Sequence, residues 1–241
     1  MTIITIASQK GGVTKSTGAL AIAALLAQRF RVSFVDLDAE AFATTMGLAR
    51  DASAAPLADA PHRIAHPAFA GGELLVFAGG DPIGAADEGS IRHHIARAAQ
   101  AADVVVVDTP PDGRSAAVIA AVRAARVIVA PVTPEFQSVA GMQRLLATAG
   151  RLNASAPVRA LLSRWEARTR LAQDVHQQLV TTSPGLTVSS IIPRDQRAAE
   201  AMAAGCPVPL YAHRCAASAA YRTATYEIAA LAGLHIPHGA L

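Results

Sequence analysis

A glycine pair near the start of the chain stands between two segments of opposite character. Residues 3–7 (Ile-Ile-Thr-Ile-Ala) are apolar and rich in β-branched side chains, which is typical of a buried strand. Residues 18–29 are rich in alanine and leucine and have the composition of a helix. The connecting residues 8–17 are Ser-Gln-Lys-Gly-Gly-Val-Thr-Lys-Ser-Thr. This order predicts that the glycines lie at a strand-to-helix turn.

Such a turn can bind an anion. The first turn of a helix leaves backbone N–H groups without internal partners and carries the positive end of the helix dipole. Gly11 and Gly12 allow the backbone to approach a ligand closely. Lys15 can reach the β- and γ-phosphates of a nucleotide, and the Ser16 hydroxyl is the expected Mg²⁺ ligand. The turn therefore predicts a phosphate-binding loop.

The loop departs from the ordinary G-x-x-x-x-G-K-[ST] pattern, because Thr14 occupies the last glycine position and Lys10 precedes the glycine pair. In this form it resembles the loop of the ParA/MinD family of deviant Walker A ATPases, whose signature is K-G-G-x-x-K-[ST]. The resemblance implies ATP and Mg²⁺ as cofactors and a homodimer around two nucleotides, in which Lys10 reaches the nucleotide of the partner subunit. The nucleotide-binding residues predicted in the loop are Lys10, Gly11, Gly12, Val13, Thr14, Lys15, Ser16 and Thr17.

Two later apolar segments end in carboxylates. Residues 31–38 end with Asp36 and Asp38, and residues 103–108 end with Asp108 before a proline pair. Because ligands of parallel sheets bind at the carboxyl ends of the strands, we expect Asp38 near the nucleotide and Asp108 behind the Mg²⁺. The segments resemble the D-x-D and D-x-P-P segments of the family, which implies that Asp38 positions the attacking water. The predicted metal residues are Ser16, Asp38 and Asp108, and the predicted catalytic residues are Lys10, Lys15 and Asp38.

Five arginines follow two further predicted strands, residues 158–162 and 188–192. Guanidinium groups without matching acids favour phosphate contacts, but a solvated face with ion pairs through Glu166 and Asp195 explains the charges equally well. The arginines are Arg164, Arg168, Arg170, Arg194 and Arg197.

Two stretches that contain these arginines resemble segments of ParA proteins. Residues 166–169 (Glu-Ala-Arg-Thr) resemble D-A-R-T, and residues 192–197 (Ile-Pro-Arg-Asp-Gln-Arg) resemble I-P-R-N-x-R. The resemblance implies that Arg168 and Arg197 bind DNA and that Pro193 lies against the adenine. Arg164, Arg170 and Arg194 are predicted to join the same DNA-binding surface.

The alternation of apolar and helical segments predicts an α/β fold: a doubly wound, mostly parallel sheet with helices on both faces. Its 241 residues predict a single P-loop ATPase domain, 1–241. Residues 50–67 are expected to form a surface excursion without regular structure. The further strands predicted are 74–78, 103–108 and 126–131, and the further helices are 90–102, 138–152 and about 170–180.

Composition adds weaker constraints. No apolar run of about 18 residues and no export signal pattern are present, which predicts a cytoplasmic protein without a membrane partner. The resemblance to ParA proteins implies that it associates with the nucleoid. A net charge of +3 is only weak support for nucleic-acid binding, so the argument depends on local clusters. Cys206 and Cys215 have no metal-site spacing and are expected to be reduced packing thiols.

The resemblance most favours a short ParA-type (Soj-like) partition ATPase, which coats DNA without sequence preference and is stimulated by a ParB-type partner. Three alternatives are open. A MinD-like membrane-cycling ATPase needs a basic amphipathic C-terminal helix, which residues 231–241 do not resemble. A reductase or metal-delivery protein needs a cysteine pair at the dimer seam. Thr14, Glu40 and Phe42 depart from the family pattern and leave open an ATP-binding clamp that scarcely hydrolyses.

Overall fold

The computed structural model describes residues 1–12, 14–40, 61–183, 186 and 190–241. Over these residues the strands are β1 (Thr2–Ile6), β2 (Arg31–Asp36), β3 (His62–Ile64), β4 (Glu73–Phe77), β5 (Val104–Asp108), β6 (Val127–Val132) and β7 (Val158–Leu162). The helices are α1 (Lys15–Leu26), α2 (Asp81–Ala85), α3 (Glu88–Ala101), α4 (Ala116–Ala124), α5 (Phe136–Leu152), α6 (Arg170–Thr182), α7 (Gln196–Ala203), α8 (Val208–Tyr211) and α9 (Ala216–Leu231). A 3₁₀ turn covers Pro67–Phe69.

The strands of the described residues form one sheet in the order β3-β4-β2-β5-β1-β6-β7. All neighbouring strands are parallel except β3, which runs antiparallel to β4 at the edge. The central strands are buried along their length, as apolar β-branched strands of a covered parallel sheet must be. The predicted mostly parallel, doubly wound α/β fold is confirmed.

Helices cover both faces of the sheet. On one face, Ile4 and Ile6 of β1 pack with α1, α8 and α9. On the other face, Ile3 of β1 packs with α3 and α4, while β6 and β7 pack with α5 and α6. Residues 18–26 of α1 are all buried, because this helix lies between the sheet and α9. A helix that is enclosed on all sides has no polar face, which explains the alanine- and leucine-rich sequence.

The strand register brings the predicted ligand residues to one edge. Asp36 at the end of β2 is the register partner of Asp108 at the end of β5, and Asp108 is also the partner of Ile6 in β1. The loop that follows β1 therefore begins beside Asp108. The ends of these three adjacent strands form the floor of the candidate site.

Two parts of the sequence interpretation need correction. The surface excursion predicted for residues 50–67 contains strand β3, which pairs with β4; residues 41–60 lie outside the described residues. The strand predicted for residues 188–192 is not formed over its described part, residues 190–192, and an isolated parallel bridge joins Trp165 to Pro193 instead. The Ile192 N–H also donates to the Leu162 carbonyl at the end of β7, at 2.8 Å.

Two further observations concern the rest of the chain. Cys206 and Cys215 are free thiols, and the Cys215 Sγ accepts a hydrogen bond from the Ser218 N–H at the start of α9, as expected of packing thiols. No helix among the residues that the structure describes is both long enough and apolar enough to span a bilayer. The described tail, residues 232–241, contains no helix, and Leu234 and Ile236 pack on the core.

Gly79, which follows β4, lies tightly against the end of β2. A Cβ at this position would lie 2.7 Å from the Asp38 carbonyl oxygen and 2.8 Å from the Asp36 carboxylate carbon. We therefore expect Gly79→Ala to lower the free energy of unfolding by about 2 kcal/mol, because the turn after β2 must shift. Urea denaturation measures this change.

The matched control is Gly150→Ala in α5, where an added Cβ has no heavy atom within 4 Å. This variant should raise the free energy of unfolding by about 0.5–1 kcal/mol, because alanine is the better helix former. Equal effects of the two substitutions would contradict the tight contact at Gly79.

Candidate active site

The loop between β1 and α1 contains two residues in the left-handed backbone region. Gly12 has a φ of 71°, which glycine adopts at little cost. Thr14 has φ 65° and ψ 30°, a conformation that is strained for a β-branched residue. The Thr14 carbonyl accepts the Gly18 N–H at 2.9 Å, the first hydrogen bond of α1. Thr14 therefore adopts the left-handed backbone conformation that suits the glycine of the ordinary motif.

The loop faces an open cleft. Added Cβ atoms at Gly11 and Gly12 would meet nothing within 4 Å, and the Thr14 side chain caps none of the N–H groups of α1. The cleft has a volume of about 340 Å³, and the start of α1 presents its backbone donors there. Its lining residues are Gly11, Gly12, Thr14, Lys15, Ser16, Thr17, Asp38, Glu40 and Pro111. Six of the eight predicted loop residues therefore line this cleft. Of the other two, Lys10 is not among the lining residues, and Val13 lies outside the described residues.

Lys15 is the buried cation of the cleft. Only 7% of its surface is exposed, and its Nζ donates to the Lys10 carbonyl at 3.2 Å. Burial lowers the pKa of Lys15, and the nearby carboxylates of Asp108 and Asp38 act in the opposite direction. A desolvated ammonium at the phosphate cleft favours the arrival of an anion.

Asp36 and Asp38 form a braced turn. The buried Asp36 accepts the Asp38 N–H at 3.0 Å on its Oδ1, and Asp38 in turn accepts the Glu40 N–H at 3.1 Å. Asp38 lines the phosphate cleft, whereas Asp36 does not. The function of Asp36 as a brace for Asp38 was missed by the sequence interpretation, although the two-residue spacing of the aspartates is its signal.

Asp108 is the residue that most favours a metal site. It is 1% exposed, and neither of its carboxylate oxygens has a hydrogen bond of normal geometry within the described part of the chain. Burial and the neighbouring Asp36 raise its pKa to about 8, against the opposing influence of Ser16 and Lys15. A buried carboxylate without a partner, next to a hydroxyl at the phosphate loop, fits a divalent cation.

The protein would supply few metal ligands of its own. No group of three or more His, Cys, Asp and Glu side chains converges on one point among the described residues. Ser16 and Asp108 are therefore the residues that would hold Mg²⁺, with phosphate oxygens and water as the remaining ligands, as is usual for this ion. Asp38, the third predicted metal residue, lines the cleft from the side of β2.

A second cleft, of about 310 Å³, adjoins the first. Thr14 and Thr17 line both clefts, so the two are continuous at the start of α1. Pro193, Met202 and Tyr221 give the second cleft an apolar side that fits a nucleotide base. Pro193, which is predicted to lie against the adenine, lines this cleft. Tyr221 on α9 was not predicted, because nothing in its local sequence relates it to the loop.

Lys10 lies at the rim of the phosphate cleft and forms an ion pair with Glu135. The Thr133 hydroxyl also donates to Glu135, at 3.2 Å. The Lys10 ammonium holds the pKa of Glu135 below its usual value. Glu135 was not predicted as a site residue, although it follows β6 at the ligand edge. Lys10 is thus bound within its own chain.

The prediction that five arginines lack matching acids is wrong for three of them. Acids from the same or an adjacent segment pair with them because helical spacing and the bridge between the two segments bring these side chains together. The pairs are Arg170–Asp174 at 3.9 Å, Arg194–Glu166 at 2.9 Å and Arg197–Glu200 at 2.7 Å. Arg168 is exposed and forms no ion pair among the described residues, and Arg164 lines the second cleft.

Comparison with known proteins agrees with this geometry. The family model described as CobQ/CobB/MinD/ParA nucleotide binding domain matches residues 4–208. The chain belongs to this family. It is 33% identical over 239 residues to the chromosome-partitioning ATPase Soj of Thermus thermophilus, with 94% of this chain and 95% of that protein covered.

Solved structures of the same fold include partition and septum-site proteins. A putative plasmid partition protein of Borrelia burgdorferi bound to AMPPNP has a TM-score of 0.78 at 18% identity, covering 94% of this chain and 97% of that one. The septum site-determining protein MinD of Pyrococcus horikoshii with Mg-ADP has a TM-score of 0.75 at 21% identity, covering 96% and 97%. At these identities the likeness concerns the fold.

The resemblance predicted from the sequence is therefore confirmed: the chain is a P-loop ATPase of the ParA and Soj type. ATP with Mg²⁺ is the cofactor pair consistent with this family and with the residues of the phosphate cleft.

The raised pKa of Asp108 leads to a prediction about Mg²⁺. Because that pKa is about 8, the carboxyl group holds a proton at neutral pH in the free protein. A cation favours the charged form, so binding of Mg²⁺–ADP should release about one proton, and the affinity should increase as the pH rises toward the pKa. Calorimetry in two buffers of different ionisation enthalpy measures the proton release.

Asp108→Asn is the control, because its side chain has nearly the same shape but does not titrate. It should bind Mg²⁺–ADP more weakly and without proton release. Identical proton release from the wild-type protein and this variant would exclude Asp108 as the titrating group.

Proposed function

We propose that the protein is a DNA-partition ATPase that forms a dimer around two nucleotides and binds DNA in that state. The single P-loop domain binds ATP and Mg²⁺, the ATP-bound dimer coats DNA without sequence preference, and a ParB-type partner stimulates hydrolysis. The names of the Soj and plasmid partition relatives support a role in the movement of chromosomes or plasmids.

The observation that carries the proposal is the bridge between Trp165 and Pro193. One bridged segment leads to Arg168 and the other to Arg197, while Pro193 itself lines the base cleft. Hydrogen bonds from Trp165 N–H to the Ile192 carbonyl, at 3.0 Å, and from Arg194 N–H to the Trp165 carbonyl, at 3.2 Å, hold the segments together. The nucleotide cleft and the basic surface therefore share one support.

The basic surface fits a phosphate backbone. Arg168 lies just before α6, whose N-cap is Thr169, and Arg197 lies in the first turn of α7, whose N-cap is Asp195. Helix N-termini favour phosphate groups, and exposed guanidinium groups add charge and hydrogen bonds. Arg197 also lies over the Tyr211 ring at 5.6 Å, which restricts its side chain. Arg170 and Arg194 extend the surface.

The phosphate cleft supports ATP hydrolysis through four side chains. Lys15 would neutralise the β- and γ-phosphates, and Ser16 with Asp108 would hold Mg²⁺. Mg²⁺, when bound, supplies further positive charge to the phosphates. Asp38, which its turn holds at the cleft, orients the attacking water.

Lys10 supports the dimer. Because Lys15 already occupies the phosphate cleft, a second loop lysine at the rim is available to a nucleotide that arrives on another subunit. Positive charge from outside the site at that position stabilises the transition state of phosphoryl transfer. The ion pair with Glu135 must open for Lys10 to reach across.

Lys10 and Asp38 should fail differently when replaced. Lys10→Ala should bind ATP as a monomer but lose ATP-dependent dimerisation and most turnover. Asp38→Ala should keep dimerisation and lose turnover, because the attacking water is no longer oriented. Analytical ultracentrifugation with ATP and a phosphate-release assay separate the two outcomes.

Glu135→Gln is the matched control for Lys10, since it removes the acid and keeps the lysine. It should dimerise with ATP at least as well as the wild-type protein. If Lys10→Ala and Asp38→Ala both remained hydrolysing dimers, the assigned roles of these residues would be wrong.

DNA binding tests the proposed function directly. Fluorescence anisotropy with two duplexes of unrelated sequence should show equal, strongly salt-dependent binding with ATP or a non-hydrolysable analogue, and weak binding with ADP or no nucleotide. Arg168→Ala and Arg197→Ala should each reduce the salt slope by about 2, because a dimer loses two phosphate contacts. Dimerisation with ATP should survive in both variants.

Arg151→Ala is the matched control, because Arg151 is an exposed arginine in the last turn of α5, at the opposite edge of the sheet. It should leave the salt slope unchanged. A double variant of Arg168 and Arg197 that bound DNA with wild-type affinity and slope would reject the partition function as proposed.

A further inference from the structure

We propose that Arg164 binds the phosphate chain of the nucleotide next to the ribose, and that it is not part of the DNA-binding surface. The inference rests on the proposed function only in that ATP occupies the two continuous clefts at the start of α1. It assigns to Arg164 a substrate-binding role that differs from the one predicted from the sequence.

Arg164 has an unusual backbone conformation. Among the described residues, Thr14 and Arg164 are the two non-glycine residues with positive φ, and the φ of Arg164 is 54°. Both residues line the second cleft. Strained backbone conformations cost free energy and cluster where ligands bind. The two strained positions thus mark the same place from opposite sides.

The backbone conformation of Arg164 is fixed by its two neighbours in the chain. The Ser163 N–H donates to the Val132 carbonyl at 2.8 Å, and the Trp165 N–H donates to the Ile192 carbonyl at 3.0 Å. Trp165 is also buried, with 5% of its surface exposed. Both flanking residues are thus tied to adjacent segments, and the left-handed Arg164 between them is exposed and lines the second cleft.

Arg164 places a positive charge at the second cleft. The Arg164 guanidinium forms no ion pair or hydrogen bond within the described part of the chain, unlike Arg170, Arg194 and Arg197. The carboxylate that it influences is Glu135, which already binds Lys10. Arg164 is therefore a cation at the cleft with no acid of its own to neutralise it.

The position along the nucleotide follows from the residues shared by the two clefts. Thr14 and Thr17 line both, so a nucleotide that spans them passes these residues between its phosphates and its base. Arg164 lines only the base cleft, and the loop cation Lys15 lines only the phosphate cleft. In a nucleotide bound in this way, the first phosphate after the ribose would be the anionic group nearest to Arg164, and a planar guanidinium can bind it through two N–H groups.

The test is the affinity of the monomer for ADP, measured by calorimetry without DNA. Arg164→Ala should weaken ADP binding by roughly tenfold, the loss expected for a hydrogen bond to a charged group. Arg164→Lys should recover part of the affinity, because it keeps the charge and loses the fork. Arg151→Ala should bind ADP like the wild-type protein. At saturating ATP analogue, Arg164→Ala should keep the wild-type salt slope for DNA.

The outcomes separate this inference from the proposed function. Unchanged ADP affinity of Arg164→Ala, with a reduced salt slope for DNA, would overturn the inference and return Arg164 to the basic surface. Wild-type protein that failed to bind ADP would overturn the proposed function instead, and the inference with it. Thermal unfolding of each variant shows whether a loss of affinity reflects a loss of folded protein; a folded Arg164→Ala with weakened ADP binding supports the inference.

Discussion

A buried carboxyl group at the end of the central strand determines much of the site. Asp108 is enclosed by its register partners on β1 and β2, and no hydrogen bond of normal geometry reaches its carboxylate oxygens among the residues that the structure describes. Burial disfavours the charged form of this group, so the free protein holds it as the uncharged acid at neutral pH. A cation bound there would favour the charged form, so the carboxyl group is preorganised for metal. The neighbouring ammonium of Lys15 is also buried, and burial lowers its pKa. A bound substrate would supply charges that interact with both groups.

Much of the fold and the phosphate site could be predicted from the sequence, because local patterns encode both. The valines that precede Asp108 and the glycines that precede Lys15 specify strand, turn and helix within a few residues of each other. The parallel order of the strands then brings their carboxyl ends to one edge without any further information. β3 escaped prediction because it has three residues, and an edge strand needs no apolar pattern.

The contacts that were missed depend on residues far apart in the chain. Tyr221 reaches the second cleft from α9, and Glu135 reaches Lys10 from the loop after β6. The arginines show the same limit in another form. Their spacing predicts a basic cluster, but the pairing of Arg197 with Glu200 and the left-handed backbone of Arg164 arise only when the helices and the bridge form. The number of arginines at this edge can therefore be predicted from the sequence, but the direction of each side chain and its ion-pair partner cannot.

The ion pair between Lys10 and Glu135 has a consequence for the timing of assembly. Both side chains are partly exposed, and pairs of this kind contribute about 0.2–1 kcal/mol, less at high salt. In the proposed dimer, Lys10 exchanges one carboxylate for a set of phosphate oxygens, so the pair competes with assembly only weakly. In the proposed assembly, this ion pair holds Lys10 in the isolated subunit and must break when Lys10 binds a second nucleotide. Salt would weaken this ion pair and, at the same time, the proposed contacts with DNA.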